Sequence, residues 1–345
     1  MPSFETLERA VHRARERESV ARSRTPDDSA VCAELGVQRR LRHHPALVQR
    51  DAEFGQPLLL FPELGALTSV AMLDPGNAWM RSPRLLVITP LLTAAVGLAL
   101  SSQLVYGPLP VALVVAISLL LIRALRSPVM PALSAGLLPL ALGIQSWQYP
   151  LALVPGCLGL ALVIRLRRSR REPAVPQDGR QPFLEDGHAG PSLPPLRHWL
   201  GPMGLFLAGA LLLVQALGSP LVLYPPLLVL AWETLARPDH CPWRRQSWAV
   251  LLAMTTAAGA GLLALHMLGP QPQTTAALVL AVALLLNRLQ LLCPPAFAVA
   301  LLPFVVHHPS AGFPLHVLIG TGWLLLVNAL IEAHRQRSGG REWIQ

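Results

Sequence analysis

The chain has 345 residues, 52 % of them hydrophobic and only 14 % charged, with a mean hydropathy of +0.46. Soluble domains carry about 25 % charge, so the composition excludes a disordered chain, a disulfide scaffold and an ordinary soluble enzyme, and leaves an integral membrane protein with polar ends. The net charge of +9 comes from arginine, since the chain has no lysine; the arginines sit in the tails and in short loops beside apolar runs, which follows the positive-inside rule and argues against nucleic acid as a partner.

Residues 1–55 are polar and Arg-rich. Phe4, Leu7 and Val11 recur at helical spacing among mixed charges, which predicts a short solvated surface helix. No apolar signal-peptide core appears in the first 50 residues. Residues 56–164 form a first membrane block whose only charges are Glu63, Asp74, Arg81, Arg84, Arg123 and Arg126. Its apolar runs fall at 57–73, 85–104, 109–122, 128–145 and 150–164. Residues 165–197 read as a linker that opens with Arg165, Arg167, Arg168, Arg170 and Arg171 and then turns Pro/Gly/Asp-rich. Residues 198–334 form a second block, with runs at 198–217, 221–235, 248–267, 274–290, 293–307 and 314–332; residues 335–345 are a polar tail. Several runs fall short of the roughly 20 residues a straight spanning helix needs. With 34 prolines in the chain, many runs begin at or contain one. They predict short or broken helices, whose freed backbone groups must be satisfied by protein or by a water-lined cavity.

The two blocks read as copies of one another. Pro131-Ala132-Leu133-Ser134-Ala135-Gly136-Leu137-Leu138-Pro139 aligns without a gap on Pro295-Ala296-Phe297-Ala298-Val299-Ala300-Leu301-Leu302-Pro303, and the same register sets Tyr149-Pro150 on Phe313-Pro314 and Gly156 on Gly320. Upstream, Phe61-Pro62 matches Tyr224-Pro225, Trp79 matches Trp243 and Arg81 matches Arg245. The loops near 105–109, 146–149, 218–220, 269–273 and 308–313 lack arginine, whereas those near 81–84, 123–126, 165–171, 237–245, 288 and 335–341 carry it. Matching loops of the two blocks therefore share a side, which predicts parallel rather than inverted repeats. The run 57–73 is left with two readings, a crossing or a re-entrant segment.

These residues resemble the HPP family of integral membrane proteins. Cys293-Pro294-Pro295-Ala296-Phe297-Ala298 is similar to the family's His-Pro-Pro-Ala-Gly-Ala stretch, and Val129-Met130-Pro131-Ala132 is its counterpart in the first block. Ser82-Pro83-Arg84 looks like the family's Gln-Pro-Arg loop, and Leu64-Gly65-Ala66-Leu67-Thr68 its Phe-Gly-Ala-Ser stretch. The name-giving histidine is replaced by Val129 and Cys293. The resemblance implies two family units in one chain and, since plastid members are linked to nitrite transport, a small inorganic anion as solute.

The candidate substrate-binding residues are those of the two Pro-led segments, Pro131, Ala132 and Ser134 with Pro294, Pro295 and Ala296. A helix that starts inside the membrane is expected to aim free N–H groups and a partial positive charge inward; the competing reading is a plain packing kink. Glu63, an acid at membrane depth, is the candidate coupling group; Glu233, near Arg237, is expected at the headgroups. Arg81, Arg84, Arg245 and Arg288 mark a basic inner face that attracts anions or lipid phosphates. His266, His307, His308 and His316 lack the convergent spacing of a metal site. Cys32, Cys157, Cys241 and Cys293 show no paired spacing, so no metal or cofactor is expected. Trp79, Trp147, Trp199, Trp243 and Trp248 fall at run edges, as an aromatic belt does.

With no nucleophile–base pair, phosphate loop or metal-protease motif in the sequence, an enzyme is not expected. The expected fold is all-α: a polytopic transmembrane helical bundle with two parallel internal repeats and short Pro-broken helices. The expected setting is a multi-pass plasma membrane protein of the bacterial inner membrane, in contact with the lipid bilayer and a small solute and compatible with a homo-oligomer. The expected function is a transporter or channel with its site between the repeats. The alternative is a non-transporting scaffold or sensor whose Arg-rich region binds a partner.

Overall fold

The computed structural model describes residues 61–74, 76–170, 196–238, 241, 243–244, 246–306 and 309–339. The helix expected around Phe4, Leu7 and Val11, most of the 165–197 segment, Arg245, His307 and His308 lie outside the described residues. Those described form helices and no strand. In chain order the helices are α1 (Pro62–Leu73), α2 (Leu85–Ser101), α3 (Pro108–Ala124), α4 (Ala132–Leu142), α5 (Gln148–Arg170) and α6 (Leu196–Leu217). They continue as α7 (Pro225–Ala231), α8 (Ser247–Leu268), α9 (Pro272–Arg288), α10 (Pro295–Leu301) and α11 (Phe313–Gly339). α7 runs on into a π turn, Trp232–Ala236, and α10 into a 3-10 turn, Leu302–Phe304.

Each apolar run coincides with one of these helices, several of which extend past its ends. Four segments are long and apolar enough to cross a membrane: Gln148–Ser169, His198–Leu217, Ser247–Leu268 and Phe313–Arg337. At most 44 % of any of their apolar windows is buried within the chain. The remainder presents large side chains outward, among them Leu158, Leu162, Leu205, Leu212, Leu263 and Leu326, each at least half exposed. A continuous apolar exterior of this kind calls for a non-aqueous covering.

Other helices are far shorter. α1 has 12 residues and spans about 18 Å at 1.5 Å per residue, against a hydrocarbon core of about 30 Å. The described part of the run 57–73 is therefore too short to cross by itself. The runs 128–145 and 293–307 contract to α4 and α10 because Pro131 and Pro295 set where regular helix can begin. Proline also occupies the first turn of α1, α3, α7 and α9.

Of the arginines that open the 165–197 segment, Arg165, Arg167, Arg168 and Arg170 lie in the last turns of α5, which stays helical to Arg170; Arg171 lies outside the described residues. Arg167 Nη1 donates to the Ala71 carbonyl at 3.3 Å, and Arg168 donates to the carbonyls of Met80 (2.6 Å) and Arg81 (3.1 Å). These bonds tie the end of α5 to the turn after α1. The expected polar tail likewise begins as the last turns of α11.

Packing places α2 against α3, α4 and α5, and α8 against α9, α10 and α11. α3 also touches α4, and α9 touches α10. The half-length helices then cross over. α1, from the first block, lies on α10 of the second, and α7, from the second, lies on α4 of the first. α6 packs on α11 and on the 3-10 turn Pro220–Leu223.

Two close approaches fix the tightest seams. Gly97 of α2 lies so near the Gly136 carbonyl of α4 that a Cβ would collide with it, and Gly261 of α8 stands the same way against the Ala300 carbonyl of α10. Small residues at such crossings let helix backbones meet, the usual means of packing where burial from water gives no drive. α3 and α9 also end alike. Arg126 (φ 49°) and Gln290 (φ 50°) take the left-handed conformation. The next N–H in each case, Ser127 or Leu291, donates 2.9 Å back to Ile122 or Leu286, closing the helix with a Schellman-type bond.

Gly97→Ala and Gly261→Ala should each lower stability by about 1–3 kcal/mol through overpacking, seen as a reduced Tm in detergent. Gly159→Ala, with nothing within 4 Å of an added Cβ, should leave Tm unchanged or raise it, because alanine favours helix.

Candidate functional site

The two Pro-led segments are fully enclosed. α4 is buried from Ala132 to Ala141, and all seven residues of α10 are buried. Their first turns are not open, however. Ala132 N donates to Val129 O at 3.3 Å and Leu133 N to Met130 O at 2.9 Å; Ala296 N and Phe297 N donate at 3.1 Å to Cys293 O and Pro294 O. Two of the N–H groups expected to be free at the start of each helix are thus taken up by the turn that precedes it. Pro131, Ala132, Pro294, Pro295 and Ala296 therefore act as tightly packed backbone, and Ser134 is the candidate among them with an uncommitted polar atom.

Ser134 faces the carboxyl of Glu63, which enters from the first turn of α1. Glu63 is 1 % exposed, and neither of its oxygens, nor Ser134 Oγ, has a hydrogen-bond partner. From α5, Tyr149 and Cys157 are close enough to interact electrostatically with Glu63. Tyr149 directs its hydroxyl onto the Ala135 carbonyl at 3.1 Å. The structure thus gathers Glu63 and Ser134, proposed from sequence for different roles, with Tyr149 and Cys157, which the sequence did not single out.

A row of hydroxyls runs beside this cluster. Thr89 donates to Ser127 Oγ at 2.8 Å, Thr93 to the carbonyls of Thr89 and Pro90, and Ser101 to the Pro139 carbonyl at 3.1 Å. Ser118 Oγ is buried without a partner, close to where a Cβ on Gly136 would lie. Thr89, Thr93, Gly97 and Ser101 recur every four residues. That places them on one face of α2, a pattern readable in the sequence but not singled out there.

Under the register read from the sequence, the positions set against these in the second block are mostly apolar: Ala253, Ala257 and Leu265 for Thr89, Thr93 and Ser101, and Ala298, Phe313 and Pro226 for Ser134, Tyr149 and Glu63. Thr321 stands where Cys157 does in the first block and is paired with the Tyr224 hydroxyl at 2.7 Å. Glu233 is buried in the π turn rather than at the headgroups. Arg237 acts on its charge, and one carboxylate oxygen stays unpartnered. Trp243 Nε1 donates to Thr234 Oγ1 at 3.0 Å, and Trp199 meets Trp232 edge-on with centroids 5.0 Å apart. Of the expected aromatic belt, Trp147 and Trp248 are exposed, at 62 % and 68 %, whereas Trp79, Trp199 and Trp243 are core residues.

Arg81, Arg84, Arg123 and Arg288 are exposed, and Arg244 pairs with Glu332 at 3.1 Å. Cys241, in the loop between the π turn and α8, has its thiol pushed up to about 11 by burial, so it stays protonated at neutral pH and is a poor nucleophile. His266 is exposed, and His316 Nδ1 lies 3.4 Å from Ser219 Oγ. Among the described residues no group of three His, Cys, Asp or Glu side chains could hold a metal ion.

An unpartnered buried carboxyl costs stability that an apolar side chain of similar length would not. Glu63→Met should raise stability by about 1–3 kcal/mol, measured by thermal unfolding in detergent; a fall of that size would show that Glu63 has a structural partner. No family model matches the chain, and neither a curated protein nor a solved structure matches it at a significant level.

Proposed function

We propose that this chain is a multi-pass membrane transporter or channel for a small solute, built from two parallel repeats that resemble HPP-family units. One observation carries the reading: the crossed half-helices, with α1 lying on α10 and α7 on α4. Helices that stop inside a bundle are a recurrent device of transporters, whose sites form where opposed repeats meet at mid-membrane.

Several recurrences support the repeat. The helix pairings around α2 recur around α8. The backbone contacts at Gly97 and Gly261 recur with their partners in the same register, as do the left-handed residues Arg126 and Gln290. Gly156 lies against Leu64 as Gly320 lies against Leu227. α6 has no counterpart among the described residues of the first block.

The solute class is a small inorganic anion such as nitrite. That part rests on the family resemblance and on the exposed arginines at one end, Arg81, Arg84, Arg123 and Arg288, which raise the local concentration of anions. The arginine-bearing end faces the cytoplasm, in a bacterial inner membrane.

Purified protein in liposomes should admit nitrite faster than protein-free vesicles, and Pro295→Leu should cut that flux several-fold. Equal flux with and without protein would remove the reading. A single cysteine introduced in the 269–273 loop should react with a membrane-impermeant maleimide in intact cells; reaction only after permeabilisation would reverse the orientation.

A further inference from the structure

The crossed half-helices leave the strangest polar group in the molecule without a task. We propose that Glu63 is a proton-binding site, present once despite the paired architecture, and that solute movement is linked to the proton it carries. The linkage rests on the transporter reading above; the proton site does not.

Four observations converge on it. The carboxyl is buried and both oxygens lack partners. An isolated carboxylate in such a place is strongly disfavoured unless something compensates its charge. Among the described residues no charged group does so; the polar groups acting on it are its own backbone N–H and the Ser134 hydroxyl. The groups that face it are the Ser134 hydroxyl from α4 and Tyr149 and Cys157 from α5. α10, which packs on α1, and the turn Ala78–Met80 contain no titratable side chain. A proton supplied from outside removes the need for a compensating charge.

The local chemistry selects a proton over a metal cation. A hard cation such as calcium or magnesium needs about six or more oxygens. Here the carboxylate has beside it one uncommitted hydroxyl, Ser134, because Tyr149 already donates to Ala135 O. α10, the helix packed on α1, carries only apolar side chains and adds no side-chain oxygen. A proton needs no such shell. Uptake converts the carboxylate and one proton into a carboxylic acid, whose O–H can donate to Ser134 Oγ, and the proton returns to water on release.

Comparison of the halves makes the site singular. Under the repeat register Glu63, Ser134 and Tyr149 correspond to Pro226, Ala298 and Phe313. The other buried acid, Glu233, lies under the charge of Arg237 and so has a counter-charge that Glu63 lacks.

Difference infrared spectroscopy of the full chain in detergent, between acidic and alkaline buffers, tests the site without any substrate. A protonated-carboxyl C=O band that shifts in deuterated water should appear, vanish in Glu63→Gln and survive in Glu233→Gln. Ser134→Ala should move the band without removing it, and this variant decides the matter if Glu63→Gln does not fold. A band unchanged in Glu63→Gln, unmoved in Ser134→Ala, or abolished by sodium at constant pH would overturn the proposal. In liposomes carrying an internal pH dye, an inward nitrite gradient should move protons in the wild type and not in Glu63→Gln. If the band behaves as expected but no variant passes nitrite, the proton site stands and the transporter reading falls. If nitrite passes and the band ignores Glu63→Gln, the transporter reading stands and the proton site falls.

Discussion

Everything in this structure turns on helices that are too short for the layer they occupy. A helix of about 18 Å in a layer of about 30 Å leaves one end, with its orphan backbone groups, at depth. In hydrocarbon such groups must be met by protein. α4 and α10 meet the requirement in two ways. The turns before them fold back so that the first N–H groups find carbonyls three residues upstream, and neighbouring helices enclose them on every side. Enclosure to that degree requires glycine at the seams, because only a bare backbone can approach the Gly136 and Ala300 carbonyls so closely.

Once the half-helices are sealed in this way, the polar groups that remain open stand out. In the second block the buried polar groups are scattered: the paired Tyr224–Thr321 and Trp243–Thr234 contacts, the Glu233 carboxyl, and Thr255, Thr274 and Asn328. The first block keeps hydroxyls along α2, serines on α3 and α4, and a carboxyl on α1. Under the proposed repeat, the two halves differ in where their polar groups sit while holding their backbone contacts. This is the expected order of constraint if packing sets the bundle and only one copy carries the chemistry.

Much of this was legible in the sequence. Hydrophobic run length and proline placement give every helix, since a run of apolar residues in a membrane chain has few other ways to satisfy its backbone. The repeat register sets Gly97 on Gly261, but that both stand at tight seams shows only in the structure. What could not be read was the crossing of α1 onto α10 and α7 onto α4, because no local pattern tells a half-helix which copy to join. That missing piece explains the errors at Glu233 and at Trp79, Trp199 and Trp243. Their run-edge positions resemble an interface until the partner element is known. The pairing of the first N–H groups of α4 and α10 was also hidden, since it depends on the conformation of the residues before the proline.

The crossover has a consequence for how the protein is made. Residues 62–73 find their main support on a helix beginning at Pro295, and α4 has one face covered by a helix beginning at Pro225. As the chain leaves the ribosome, the amino-terminal half can form its long helices but cannot finish its interior until most of the carboxy-terminal half has been synthesised. During that interval one side of α1 and the flank of α4 are uncovered within the bilayer, the kind of waiting state in which chains of several units misassemble. Insertion must therefore keep the early half open to its late partner, and assembly is completed by docking the two halves together.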